Sequence, residues 1–245
     1  MPADASARRR GWHAASPDVS ARGCHIARSG LIIGIPGGIP APGGLRHRLA
    51  PGLQGCVSTM LILLDQDGVL ADFEQAFIAA WRTRHPDITP VAYQDRKSFH
   101  ILDDYPPELR ARVEAIYTAP GFIRDLPPVP GAIEAAHELL RLGMDVRICS
   151  SPLRQYENNV AEKYQWVERH LGRAWTERII LTRDKTLVQG DILIDDRPHI
   201  EGAMRPRWRH IVYDAPYNQQ AVDRPRLTWS NWRNVLGGEL YRADN

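Results

Sequence analysis

Four short, mostly apolar stretches, each closing on a polar group of particular chemistry, constrain this chain more than any other feature. Leu61–Leu64 gives way to Asp65 and Asp67, Met144–Cys149 to Ser150 and Ser151, Arg178–Leu181 to Lys185, and Asp191–Ile194 to Asp195 and Asp196. Apolar runs of this length, bounded by turn residues, read as buried strands. A further strand is expected at His210–Tyr213. Helical patterns alternate with them. Asp72–His85 places Phe73, Phe77, Ile78 and Trp81 on one face and stops at Pro86, a second pattern covers Pro107–Tyr117, and a third runs from Pro130-Gly131 to Leu142 with Ile133, Ala136, Leu139 and Leu140 inward. A fourth covers Glu157–Leu171. Strands alternating with helices imply a parallel sheet covered on both faces. The expected fold class is therefore α/β, an open, doubly wound, Rossmann-like sheet.

The polar strand ends carry the chemistry. Residues two apart on extended backbone point the same way, so Asp65 and Asp67 can face one small volume. Carboxylates that close repel unless a cation or a shared proton relieves them. Asp67-Gly68 alone reads equally well as a turn. In open parallel sheets, however, the ligand crevice lies beyond the carboxyl ends of the strands, and four strands here end in polar groups. Carboxylates without His or Cys nearby suit a hard cation such as Mg²⁺. Lys185 and a Ser hydroxyl would then hold an anion beside it, most naturally a phosphate. Plainer readings exist for each: Lys185 as a solvated lysine, Asp195-Asp196 as a helix cap before Pro198.

Neither G-x-x-x-x-G-K-[ST] nor G-x-G-x-x-G occurs, so nothing points to an ATPase or a dinucleotide enzyme. Phosphoryl transfer from a monoester to water remains. Its spontaneous rate is so low that enzymes accelerate it by up to roughly 10²¹-fold, which justifies a carboxylate nucleophile as well as a metal. Asp65 is expected to attack phosphorus and Asp67 to serve as acid, then base.

Composition narrows the partners. With 43% hydrophobic and 24% charged residues, and no apolar run approaching the roughly 18 needed for a membrane span, the chain reads as a globular protein with no membrane partner. Residues 1–59 hold seven Arg against two Asp, whereas the remainder holds 24 basic and 27 acidic residues. The slightly acidic body lacks the footprint of a nucleic-acid polymer binder. Only three Lys stand among 28 Arg, so each Lys is informative. Cys24, Cys56 and Cys149 are too few and scattered for a disulfide framework or zinc site, which fits a reducing, cytoplasmic setting. The Gly-, Pro- and Arg-rich segment 1–59 is expected to be disordered or dispensable, with Met60 as the true start. A transit peptide, and hence a mitochondrial location, is the alternative reading.

Together, LLDQDGVLAD, ICSSP, LTRDK and LIDDRP resemble the four motifs of the haloacid dehalogenase superfamily of phosphohydrolases. More closely, DGVLADF, EKYQWVE (Glu162–Glu168), LTRDKT and LIDDRP resemble the 5'(3')-deoxyribonucleotidases, over residues 60 to 236. The resemblance implies a Mg²⁺-dependent hydrolysis of nucleoside monophosphates, with deoxyribonucleotide catabolism as its setting. Asp65 would be the nucleophile and Asp67 the acid/base. The metal would be held by Asp65, the Asp67 backbone carbonyl and Asp196, with Asp195 in support. Phosphate would be held by Ser150, where the family often has Thr, and by Lys185, with Gly68 and Ser151 lining the loops. It also implies a helical cap over residues 73–130, inserted into a core of 60–72 and 131–245, that closes on the base. Phe73, Phe99 and Tyr117 are expected to wall that pocket and Lys163 to approach the substrate. His100 departs from the tryptophan associated with its position, which leaves another small phosphomonoester open as substrate. A non-catalytic nucleotide-binding protein is the third reading, and a homodimer is compatible with all three.

Overall fold

The computed structural model describes residues 59–243, with side chains as far as residue 238. The extension assigned to 1–59 lies outside these residues except for its last position. Six strands are present: β1 (Leu61–Leu64), β2 (Asp145–Ser150), β3 (Ile179–Leu181), β4 (Ile192–Asp195), β5 (Arg209–Tyr213) and β6 (Arg226–Leu227). They form one sheet in the order β3-β2-β1-β4-β5-β6, every neighbouring pair parallel. Five α-helices accompany them: α1 (Phe73–Arg84), α2 (Pro107–Tyr117), α3 (Ala132–Arg141), α4 (Tyr156–Leu171) and α5 (Trp232–Ala243).

The strands are apolar without alternation because both faces are covered. Ile62, Leu64, Val146, Ile148 and Ile194 point to one side, against Ala136 and Leu139 of α3, Trp166 and Val167 of α4 and Leu236 of α5. Leu63, Cys149 and Leu193 point to the other, against Val188, Ile200 and Trp208. The period-two division follows from the pleat. No α-helix links β3 to β4 or β4 to β5, so the second face is covered by largely irregular chain instead of by the crossover helices that a regular βα repeat would supply.

β1 sits at the reversal of strand order, with β2 on one side and β4 on the other. Leu64 is in register with both Ile148 and Ile194, so the three central strands end level. The chain from α1 to the start of α3 builds its own core from Phe77, Trp81, Ile101, Tyr105, Val113 and Ile116. Asp72 caps α1 by accepting a hydrogen bond from the Gln75 amide at 2.9 Å, which satisfies one of the helix's orphan donors. This insert is strandless, the one isolated bridge that reaches into it joining Ala71 to Pro128. Its end is pinned to α4 by buried Glu162, which accepts from the amides of Gly121, Ile123 and Arg124 at 2.6, 3.1 and 3.3 Å.

The helix and strand bounds expected from sequence agree with these to within about two residues, the usual fraying of such assignments. Two elements were not expected. β6 is only two residues long, too short for any periodic signal, and α5 carries Gly237-Gly238 inside it, two of the poorest helix formers.

Candidate active site

The level ends of β1, β2 and β4 open into a cavity of about 310 Å³. Asp65 follows β1 directly, its amide donating to the Ile194 carbonyl at 2.9 Å, so its position is fixed by the sheet itself. Asp195 is the last residue of β4, and Asp196 follows it. Oxygens of Asp65, Asp195 and Asp196 all lie within 4.8 Å of one another. Asp67 faces the same cavity but its side chain is outside this group. Gly68 takes φ +81°, and a Cβ there would stand 2.4 Å from Asp196 Oδ2, so the loop approaches the carboxylate as closely as only glycine allows.

Lys185 reaches the cluster from the loop after β3. Its ammonium lies 3.0 Å from Asp65 Oδ1 and 2.5 Å from Asp195 Oδ2. Burial works to lower its pKa, yet Asp195 and Asp65 outweigh that and hold it above the ordinary lysine value. Burial raises Asp65, with Asp195 adding to the rise and Lys185 opposing it. Asp196 is pushed well up by burial and by Asp195 and Asp65. Three buried carboxylates against one bridging ammonium leave an excess of negative charge, and an all-oxygen donor set of this kind fits a hard divalent cation.

Lys163 sits on α4, beside Asp67 and Ser150. It is fully buried on α4 and does not line the cavity. Its ammonium donates to Asp67 Oδ2 at 2.7 Å and to Ser150 Oγ at 3.0 Å, because the i,i+4 face it shares with Asn159 and Val167 packs toward the sheet. It therefore holds Asp67 and Ser150 in place. Ser150, Ser151 and Gly68 all line the cavity.

Phe73, Phe99 and Tyr117 line it from the insert. Phe73 packs against Tyr117 with centroids 6.2 Å apart and edge-on to Phe122 at 5.4 Å. Phe99 lies against His100 at 5.1 Å, with the Arg197 guanidinium 5.4 Å from its ring centre. Several lining residues escaped the sequence reading. Tyr217 donates its hydroxyl to Asp196 Oδ2 at 2.5 Å, and Arg96, buried, ion-pairs with Glu74 and, at 2.6 Å, with Asp104. Arg183 lines the cavity as well. The arginines carried no signal in a chain so rich in Arg, and Tyr217 follows the last strand that periodicity could reveal.

Strand-end carboxylates around a buried lysine, walled on one side by an aromatic insert, suit the hydrolysis of a phosphoric monoester, and the chain's relatives place it among the phosphoric monoester hydrolases. The chain belongs to the family described as 5' nucleotidase, deoxy (pyrimidine), cytosolic type C, whose model matches residues 59–239. A Bordetella bronchiseptica protein provisionally named a 5'(3')-deoxyribonucleotidase is 80% identical over 185 residues, which span 76% of this chain and all of that one. The cytosolic-type 5'(3')-deoxyribonucleotidase of Homo sapiens is 45% identical, covering 71% of this chain and 92% of its own. The mitochondrial 5'(3')-deoxyribonucleotidase of Homo sapiens is 42% identical, covering 71% and 81%. Among the described residues no helix is long and apolar enough to cross a membrane.

Proposed function

We propose that this enzyme hydrolyses the phosphate monoester of (deoxy)ribonucleoside monophosphates to nucleoside and phosphate, using Asp65 as nucleophile and Mg²⁺ as cofactor. The observation that carries the reading is one cavity shared by the carboxylate–lysine cluster and the Phe73, Phe99 and Tyr117 rings. Such rings suit a base: stacking is worth roughly 1–3 kcal/mol per base.

In this reading Asp65 attacks phosphorus, the bond to the sugar oxygen breaks, and Asp67 gives that oxygen its proton. Asp67 then takes a proton from the water that attacks the aspartyl phosphate, the bond between phosphorus and Asp65 breaks, and phosphate leaves. Asp67 suits the part because Lys163 fixes its Oδ2, while Oδ1 is buried with no hydrogen-bond partner among the described residues. Lys185 orients Asp65 and has one of its three donors left for a phosphoryl oxygen. Asp65, the Asp67 carbonyl and Asp196 would hold Mg²⁺, with Asp195 in support, and the bound ion would neutralise charge on the phosphoryl group. Ser150, Ser151 and Gly68 complete the phosphate cradle.

The test is phosphate release from a panel of 5'- and 3'-monophosphates, deoxy and ribo, together with simple sugar phosphates, with and without EDTA. Nucleotides should turn over faster than sugar phosphates, and EDTA should stop the reaction. Equal rates on both substrate classes would sink the nucleotide assignment.

A further inference from the structure

Tyr217 and Arg96 are buried at this cavity, yet the proposed chemistry uses neither. Beyond its bond to Asp196, Tyr217 sets its ring edge-on to Phe99, centroids 6.2 Å apart, with the Arg96 guanidinium 5.1 Å from the ring centre. The next residue, Asn218, donates from Nδ2 to the Asp196 carbonyl at 2.7 Å and to the Tyr213 carbonyl at 2.8 Å. One short turn, Pro216–Asn218, thus holds Asp196 by side chain and by backbone. The Gly68 loop closes on the same oxygen: a Cβ on Gly68 would stand 2.4 Å from Asp196 Oδ2 and 3.3 Å from the Tyr217 hydroxyl.

Arg96 belongs to the insert, and so do its partners. Glu74 lies in the first turn of α1, Asp104 in the 3₁₀ turn Ile101–Asp104, and the Ser98 carbonyl accepts from Arg96 at 2.9 Å. A continuous line of buried polar contacts therefore runs from the insert through Arg96 and Tyr217 to a carboxylate of the metal-ligand cluster. A buried hydroxyl needs an acceptor. That this one takes a single oxygen of Asp196 leaves the other oxygen for a ligand and removes the carboxylate's freedom to rotate.

Resting on the metal-dependent reading above, we propose that Tyr217 is a positioning residue for the cation site: its hydroxyl fixes the Asp196 carboxylate, and Arg96 holds the Tyr217 ring in place from the insert. Outer-shell partners of this kind orient metal ligands, and losing one typically weakens metal binding about 10- to 100-fold.

The experiment is calorimetric titration of MgCl₂ into the full-length protein, comparing wild type, Tyr217→Phe and Asp196→Asn, with melting curves in EDTA. Tyr217→Phe keeps the ring against Phe99 and Arg96 and removes only the hydroxyl. It should bind Mg²⁺ about 10- to 100-fold more weakly, shift the half-activating Mg²⁺ concentration by the same factor, and leave the nucleotide KM at saturating Mg²⁺ nearly unchanged. A purely structural hydroxyl would lower the melting temperature and leave Mg²⁺ affinity alone, which overturns the proposal. If Asp196→Asn loses binding while Tyr217→Phe matches wild type, the proposal falls and the metal reading stands. If Asp196→Asn also binds like wild type, both fall. Should Tyr217→Phe melt far below wild type, Arg96→Lys carries the test, because it keeps a cation for Glu74 and Asp104 but loses the flat face over the ring. Weakened Mg²⁺ binding is expected there too, and unchanged affinity overturns the proposal.

Discussion

Lys185→Met removes the cation that bridges Asp65 and Asp195 while keeping nearly the same side-chain volume. At the observed separations each contact contributes about 6 kcal/mol of attraction at an effective dielectric of about 20, most of it offset by the desolvation of the ions. Removing one partner of a buried pair costs about 3–5 kcal/mol, because the remaining charge stays buried and uncompensated. Here two carboxylates lose their partner and a third, Asp196, lies beside them, so the upper part of that range applies. For a domain of this size each kcal/mol moves the melting temperature by about 2–4 °C, giving a fall of roughly 8–20 °C. The assay is thermal melting in EDTA, with exposed Lys97→Met as the control that should not move. Added MgCl₂ should narrow the gap, since a bound cation supplies the missing charge. A Lys185→Met protein that melts within about 2 °C of wild type in EDTA would refute the reasoning.

Gly68→Ala would place a methyl 2.4 Å from Asp196 Oδ2 on backbone at φ +81°. The left-handed conformation alone costs about 1–2 kcal/mol, and turnover should fall further than stability because Asp196 has to move. Asp67→Asn should slow phosphate release by roughly 10²–10⁴-fold, as expected for a lost proton donor, and should also melt lower, because buried Lys163 keeps its charge and loses its carboxylate partner. Glu162→Ala strips three backbone donors of their acceptor and should destabilise by about 1–3 kcal/mol, read by urea denaturation. Hydrogen bonds from Arg124 and Arg169 hold Asp125 down at about 2. Its contribution is therefore present above the ordinary carboxylate pKa near 4 and lost as pH falls through about 2. Because the pair is half exposed, Asp125→Asn should cost no more than about 1 kcal/mol at pH 6, with the difference shrinking toward pH 2.

Much of the site was legible because its residues stand where apolar runs stop. Asp65, Ser150, Lys185 and Asp195-Asp196 each follow a hydrophobic strand, and in a parallel sheet that position alone brings distant residues together. The aromatic wall was legible through the resemblance, not through periodicity: Phe73 lies on a helix face that reads equally as core. Lys163 was legible only in part. Its rarity marked it as informative, but a helical pattern gives the face a residue shares and not the atom it meets, and the structure turns it inward to Asp67 and Ser150. Arg96, Glu74 and Asp104 form a three-way contact between an α-helix, a loop and a 3₁₀ turn, for which sequence has no spacing rule. Tyr217 and Asn218 lie beyond the last recognisable strand, in a turn whose role is set entirely by where β4 ends.

The most direct test of the account is phosphate release from deoxyribonucleoside monophosphates by wild type and Asp65→Asn at matched fold, each with Mg²⁺ and with EDTA. Turnover is expected only for wild type with Mg²⁺, with Asp65→Asn inactive yet melting as a folded protein. An Asp65→Asn enzyme that releases phosphate at the wild-type rate would contradict it.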